Sequence, residues 1–257
     1  MNDQLDIEPL AGKVSESEWR TRCDLAAAFR AAYYYGWNET INNHISARLP
    51  DAPDHYVMNP VGVGWDEVTA SSLIKADVDG TVLSDTSLKL AKSGQSFHSA
   101  VLRARPDLAC VFHIHPVEGV IVSSMKDGLQ FFDQNACALY GKVGTHDFEG
   151  MAESKSEGER IIEDLDGNMA LIMHNHGLLT AGRNIGEAFA LMQRLIKACD
   201  LQIRLLATGA ETRPLPDDLA AFTAKQMWER RGNKPFGHRT WPAIVRLAGR
   251  LDPAYRT

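Results

Sequence analysis

Nine histidines occur in this 257-residue chain, and three short segments concentrate the interest: Phe97-His98, His113-Ile114-His115 and His174-Asn175-His176-Gly177. The central pair ends the apolar run Cys110-Val111-Phe112-His113-Ile114-His115, which reads as a short buried strand. Residues i and i+2 of a strand project from one face. The imidazoles of His113 and His115 can therefore converge on one ion, and a third imidazole from a neighbouring strand end would complete a facial three-nitrogen set. Neutral imidazole suits zinc, iron, manganese and other first-row divalent ions. His174 and His176 are both candidates for the third place, just before Gly177, which permits a sharp turn. Spacing alone does not choose between them. His98 lies on a helix face one turn before Leu102, where packing or support of a ligand explains it as well as coordination does.

Other polar clusters read more simply. The segment Asn59–Trp65 has two glycines but no G-x-G-x-x-G loop, so nothing indicates a dinucleotide site. His146, Asp147 and Glu149 share a loop that reads as a solvated turn. Tyr33, Tyr34 and Tyr35 read as packing at a helix end. The stretch Glu229–Trp241 is basic but set among acids, as a surface face or subunit contact would be.

The elements that must position these residues follow from periodicity. Ser15 is a cap candidate for a helix that Gly36 ends, a strand is expected over 42–50, and residues 55–65 read as a second strand running into a Gly-rich turn. Residues 71–83 read as strand, Asp-Gly hairpin turn, strand. A helix over 96–108 stops near Pro106, a buried strand covers 109–116, and a helix follows over 118–129. Residues 169–182 read as strand, turn, strand, and the longest helix runs over 184–209. One more helix is expected around Trp228. Strands come in groups, so the chain reads as α/β with a mixed or antiparallel sheet covered by helices. Residues 1–15 form a loose arm, 16–212 the domain and 213–257 a C-terminal extension.

A net charge of −6 without a compensating basic cluster argues against a general nucleic-acid binder. No stretch approaches the roughly 18 apolar residues of a membrane span. The polar N-terminus lacks a secretory h-region, and Cys23, Cys110, Cys137 and Cys199 form no CxxC pair. A cytoplasmic protein with reduced thiols and no membrane partner is expected.

In order, the segments 43–48, 59–65, 97–116, 146–150 and 175–189 resemble the class II aldolase/adducin family, over about residues 19 to 210. The His113-Ile114-His115 and His146–Gly150 forms look closer to adducin heads and their bacterial relatives than to the sugar-phosphate aldolases. The resemblance implies a three-layer α/β/α sandwich with a central, mostly antiparallel sheet. It also implies a homotetramer with active sites at subunit boundaries. It further implies that His113, His115 and His176 hold a divalent ion, Zn2+ first and Mn2+ or Fe2+ as alternatives. Such an ion acts as a Lewis acid when a C–C bond breaks beside a carbonyl.

The departures from the family are informative. The aldolases carry a catalytic Glu nineteen residues before the first metal histidine, where this chain has Gly94. The positions of their phosphate-binding residues read Asn43-His44, Val61-Gly62 and Lys92-Ser93. Val61 has no side-chain donor, although Lys92 can pair with an anion. The tyrosine lent by a neighbouring subunit falls near Gln134. Glu118 and Tyr255 are the candidates for the missing acid/base, with Asp147 and Glu149 behind them. Asn43, Gly62, Lys92, Ser93 and Gln134 are the candidates for substrate binding. Phe131, Phe132 and Trp65 are expected to line an apolar pocket. The expected activity is a metal-dependent, aldolase-type lyase on a small, non-phosphorylated carbonyl or hydroxy-carbonyl substrate. A non-haem iron oxygenase and a non-catalytic adducin-like module are the alternatives. The tail is expected to pack on an adjacent subunit, with Tyr255 or His238 approaching the metal.

Overall fold

A computed structural model describes residues 7–150 and 155–257, so residues 1–6 of the expected arm lie outside the described residues. The strands are β1 (His44–Leu49), β2 (Ala52–Met58), β3 (Ile74–Asp77), β4 (Cys110–Ile114), β5 (Val143–His146), β6 (Ala170–Met173) and β7 (Gly177–Gly182). The helices are α1 (Glu16–Tyr34), α2 (Lys92–Ala104), α3 (Val117–Ser123), α4 (Lys155–Leu165), α5 (Ile185–Ala207), α6 (Asp217–Glu229) and α7 (Trp241–Leu251). The seven strands form one sheet in the order β3-β2-β1-β4-β7-β6-β5. Every pairing is antiparallel except β5 with β6.

Period-2 alternation splits the apolar residues between the two faces of this sheet. Ile45, Val57, Phe112, Ile172 and Leu178 face one core, shared with Phe29 of α1 and Leu191 of α5. Tyr56, Met58, Val111, Leu171 and Leu179 face the other, with Phe97 of α2 and Ile161 of α4. The result is the α/β/α sandwich. The Ser15 side chain accepts the Glu18 N–H at 3.1 Å, which caps α1 as expected. No helix among the described residues is long and apolar enough to cross a membrane.

Two local expectations change. The hairpin after Asp77 closes with a single bridge, Ala76 to Val82, rather than a second strand. The Asp77 carboxylate accepts the N–H groups of Asp79 and Thr81, which takes those amides away from a ladder. The extension contains two helices, not one, and its end packs on its own chain. Tyr255 is buried with Ala26, Ala27 and Ala248. The N–H groups of Ala70 and Ser71 bond to the carbonyls of Tyr255 and Thr257.

The thiols report on this packing. Burial pushes Cys199 up to about 12 and raises Cys110 further. In the native protein an aromatic disulfide reagent should label half-buried Cys23 first and leave Cys110 and Cys199 unmodified until denaturant is added. Rapid native labelling of Cys110 or Cys199 would contradict the two-sided core.

Candidate metal centre

β4 delivers the first imidazole. Cys110, Phe112 and Ile114 point towards α1 and α5, so Val111 and His113 point towards α2. The His113 ring meets Phe97 of α2 edge-on at 5.2 Å. His115 leaves the strand end on the same side, and its Nε2 lies 2.9 Å from His113 Nε2. The β6–β7 turn brings the third ring, with His176 centred 4.8 Å from His113 and 4.6 Å from His115. One ring nitrogen from each of the three falls within 4.8 Å of the others. His174 is not in this group, because its Nδ1 is 3.1 Å from Ser123 O.

Gly177 makes the turn work through close approach. The left-handed residue is Asn175, with φ 53°. A Cβ on Gly177 would lie 2.6 Å from Ile114 O and 2.8 Å from His115 Cδ2.

Hydrogen bonds fix the tautomers. His113 Nδ1 is 3.0 Å from Leu178 O, and His115 Nδ1 is 3.0 Å from Glu39 Oε2. A carbonyl and a carboxylate only accept, so both Nδ1 atoms carry the proton and both Nε2 atoms present lone pairs. Two neutral rings with Nε2 lone pairs 2.9 Å apart are a geometry that a shared cation would stabilise. Burial disfavours a proton there: it holds His113 well below the usual imidazole range, and the neighbouring His115 and His176 add to this. Burial and then His115 lower His176 to about 4. The donor set therefore fits a divalent metal ion, with Glu39 orienting a ligand in the manner of carboxylate–histidine–metal sites.

A second polar layer lies behind the first. His44 is the register partner of His113 across β1 and β4, and the two rings stack at 5.2 Å. His44 Nδ1 is 2.9 Å from His98 Nε2, and His98 Nδ1 is 2.6 Å from Ser46 Oγ. A Cβ on Gly94 would lie 2.6 Å from His44 Nε2 and 2.8 Å from its Cγ, so the His44 ring fills the space that a side chain at position 94 would need. Asn43, at φ 70°, is buried, and its side-chain oxygen and nitrogen have no partner among the described residues. A buried amide left unpaired costs about 1–3 kcal/mol, which a ligand can recover.

Asn43, His44, His113, His115 and His176 line a cavity of about 370 Å³ together with Glu39, Asn59, Ser93 and the apolar Ile41, Val61 and Phe148. Asn43 and Ser93 are thus at the cavity. Gly62 sits in the adjacent turn and Lys92 at the first position of α2, but neither is a lining residue. Gln134 is exposed in the loop before the 3-10 turn Ala136–Leu139, away from the lining.

Among the described residues, none of the acid/base candidates lines this cavity. The Glu118 charge acts on Cys199 of α5, and Glu118 does not line the cavity. Tyr255 is buried inside its own chain, its hydroxyl accepting from Arg256 Nε at 2.8 Å, and it does not line this cavity. His238 lines a different cavity. Glu149 is paired with Arg160, and neither it nor Asp147 lines the site. Trp65 packs on Phe29 at 4.8 Å and Phe131 on Tyr140 at 5.1 Å, so the apolar lining comes from elsewhere. Sequence reasoning missed Glu39, which is 76 residues from the histidine it orients. It also missed the pairing of His44 with His98, which only the β1–α2 packing creates.

The sequence pattern described as "Class II Aldolase and Adducin N-terminal domain" matches residues 23–203. The chain belongs to the class II aldolase and adducin family. An aldolase II superfamily protein from Pseudomonas syringae superposes with a TM-score of 0.90 at 38% identity, covering 97% of this chain and 100% of the other. An L-fuculose 1-phosphate aldolase from Glaciozyma antarctica superposes at 0.83 with 28% identity, over 99% and 97% of the two chains. Alpha-adducin of Rattus norvegicus is 35% identical over 249 residues, which is 92% of this chain but 34% of that protein. This member of the class II aldolase family thus has the whole fold of a solved aldolase.

Two outcomes test the site. Gly94→Ala should displace His44 and cost about 1–3 kcal/mol, as overpacking does, read from urea midpoints. An unchanged midpoint would contradict the packing of the ring. Burial first, then His115 and His176, lower His44 to about 3, and burial then His44 lower His98 well below the ordinary 6.5. The folded chain keeps both neutral where the unfolded chain binds protons. Their contribution to stability is complete above about pH 6.5 and drains as pH falls towards 3. The urea midpoint should fall between pH 7 and pH 5; a rise over that range would contradict two neutral buried imidazoles.

Proposed function

We propose that this protein is a divalent-metal-dependent lyase of the aldolase type, acting on a small carbonyl or hydroxy-carbonyl substrate. The observation that carries the reading is the opposed pair of Nε2 lone pairs on His113 and His115, with His176 beside them. These three residues would hold the ion, and an all-nitrogen set favours Zn2+ over Mn2+ or Fe2+. When bound, the ion supplies a Lewis acid that polarises a carbonyl oxygen and spreads the charge that develops as the adjacent C–C bond breaks.

His44 supplies the proton chemistry that a carboxylate at position 94 would otherwise bring. Its Nδ1 is engaged by His98, which leaves Nε2 as its other ring nitrogen, and the residue lines the cavity. Two tautomeric arrangements of the chain satisfy the same distances. With Ser46 donating to His98 and His98 to His44, His44 Nε2 carries a proton and acts as an acid. With both rings donating the other way, His44 Nε2 holds a lone pair and acts as a base. Both arrangements carry the same number of protons, so in either role the proton is exchanged at His44 Nε2 with the substrate, and the His98 contact orients the ring. The unpaired amide of Asn43 binds a substrate oxygen. Val61 at the mouth offers no hydrogen bond, which supports a non-phosphorylated substrate.

Ile41, Val61 and Phe148 are exposed at the mouth, 46%, 50% and 56% respectively, and such an apolar rim favours cover by a neighbouring subunit. The assembly we propose is the homotetramer.

Protein purified without added metal should contain close to one zinc per chain, and His176→Ala should lose it. His44→Gln should keep the metal and lower turnover of a hydroxy-carbonyl substrate by about 10²–10⁴-fold, the usual worth of a general acid/base. Iron with oxygen uptake would replace the lyase by an oxygenase. Full metal content in His176→Ala would overturn the ligand set.

A further inference from the structure

A second cavity, of about 480 Å³, shares no lining residue with the first. Four segments build it: Asn135 before the 3-10 turn, α5, the C-terminal end of α6 with the residues after it, and the turn before α7. Arg194 and Lys197 come from α5, Arg230 and Arg231 from the end of α6, and His238 and Arg239 from the turn. Among the described residues no carboxylate lines it. In a chain of net charge −6, this is a local inversion of sign inside a concave surface.

Buried interactions hold these cations in place. Glu187 of α5 is fully buried and accepts from Arg183, from Arg231 Nη1 at 3.3 Å and from the Phe236 N–H at 2.6 Å. This anchors the turn that presents His238 and Arg239. The Arg231 guanidinium lies 3.6 Å over the Trp228 ring, and those of Arg194 and Arg231 lie 4.9 and 5.5 Å from the Phe236 ring. Arg194 Nη1 donates to Asn135 O and Oδ1. By contrast, Lys197, Arg230 and Arg239 have no ion pair or side-chain hydrogen bond among the described residues. Three uncompensated cations beside two positioned guanidinium groups raise the local anion concentration and repel one another until an anion arrives. The volume is that of a small-molecule site rather than of a macromolecular groove.

We propose that this cavity is a binding site for a small phosphorylated polyanion, with Arg194, Lys197, Arg230 and Arg239 as its direct contacts. Two or more adjacent anionic groups match the spread of cations over three segments, and guanidinium forks suit phosphate oxygens. The site is separate from the metal centre and does not depend on the lyase reading.

The probe is inorganic pyrophosphate, titrated calorimetrically into the metal-loaded protein at about 0.1 M salt, where exposed charges are screened beyond roughly 10 Å. Saturable binding at one per chain is expected. It should weaken at least about 10-fold in Lys197→Ala/Arg230→Ala/Arg239→Ala, with zinc content and thermal midpoint unchanged. Arg230→Gln alone should weaken it measurably, which covers failure of the triple variant to fold. Citrate should bind more weakly than pyrophosphate. No binding, equal binding by the variants, or tighter binding of citrate would overturn the proposal. So would dissociation of the assembly by the substitutions in light scattering, which would make the cavity a contact between copies of this chain.

Discussion

Two facing lone pairs organise this protein. His113 and His115 have their Nδ1 protons committed to Leu178 O and Glu39, and their Nε2 atoms face each other at 2.9 Å. That arrangement of neutral rings becomes favourable around a divalent ion. Much of the surrounding structure maintains it. β7 supplies the carbonyl that fixes one tautomer, the loop before β1 supplies the carboxylate that fixes the other, and Gly177 lets β7 approach β4 closely enough to add His176.

The sheet turns this into a layered site. Because β1 and β4 pair in antiparallel register, His44 stands against His113, and Ser46 two residues on shares its face. α2 covers that face and places His98 between His44 and Ser46. The same helix must have glycine at position 94, because the His44 ring occupies the space above it. The metal layer and the proton layer are thus neighbouring rows on one sheet face, each fixed by strand alternation.

The ligand spacing was legible in the sequence because it is local. An H-x-H in an apolar run forces two rings to one side, and the resemblance to the class II aldolase and adducin family singles out His176, which the structure places in the cluster. The order of elements was legible for the same reason, since α1, α5 and the paired strands carry their periodicity openly. What could not be read was set by packing between distant segments. Glu39 reaches His115 across 76 residues, and nothing in Glu39-Thr40-Ile41 signals it. Glu118 looked close to the site because it is three residues from His115, but the turn into α3 carries it towards α5. Tyr255 looked available because it lies in a tail, yet the alanine-rich face of α1 offered it a home. The gap at Gly94 was visible, while the ring that fills it was not, because β1 and α2 are far apart in the chain.

The central claim is that three imidazoles hold a divalent ion through the nitrogens left without protons. X-ray absorption at the edge of the metal bound by the purified protein tests this directly. The account requires a nitrogen shell at about 2.0–2.1 Å for zinc, with imidazole outer-shell scattering that fits three rings and a metal signal that is lost in His176→Ala. A spectrum without imidazole scattering, or one unchanged by that substitution, would contradict it.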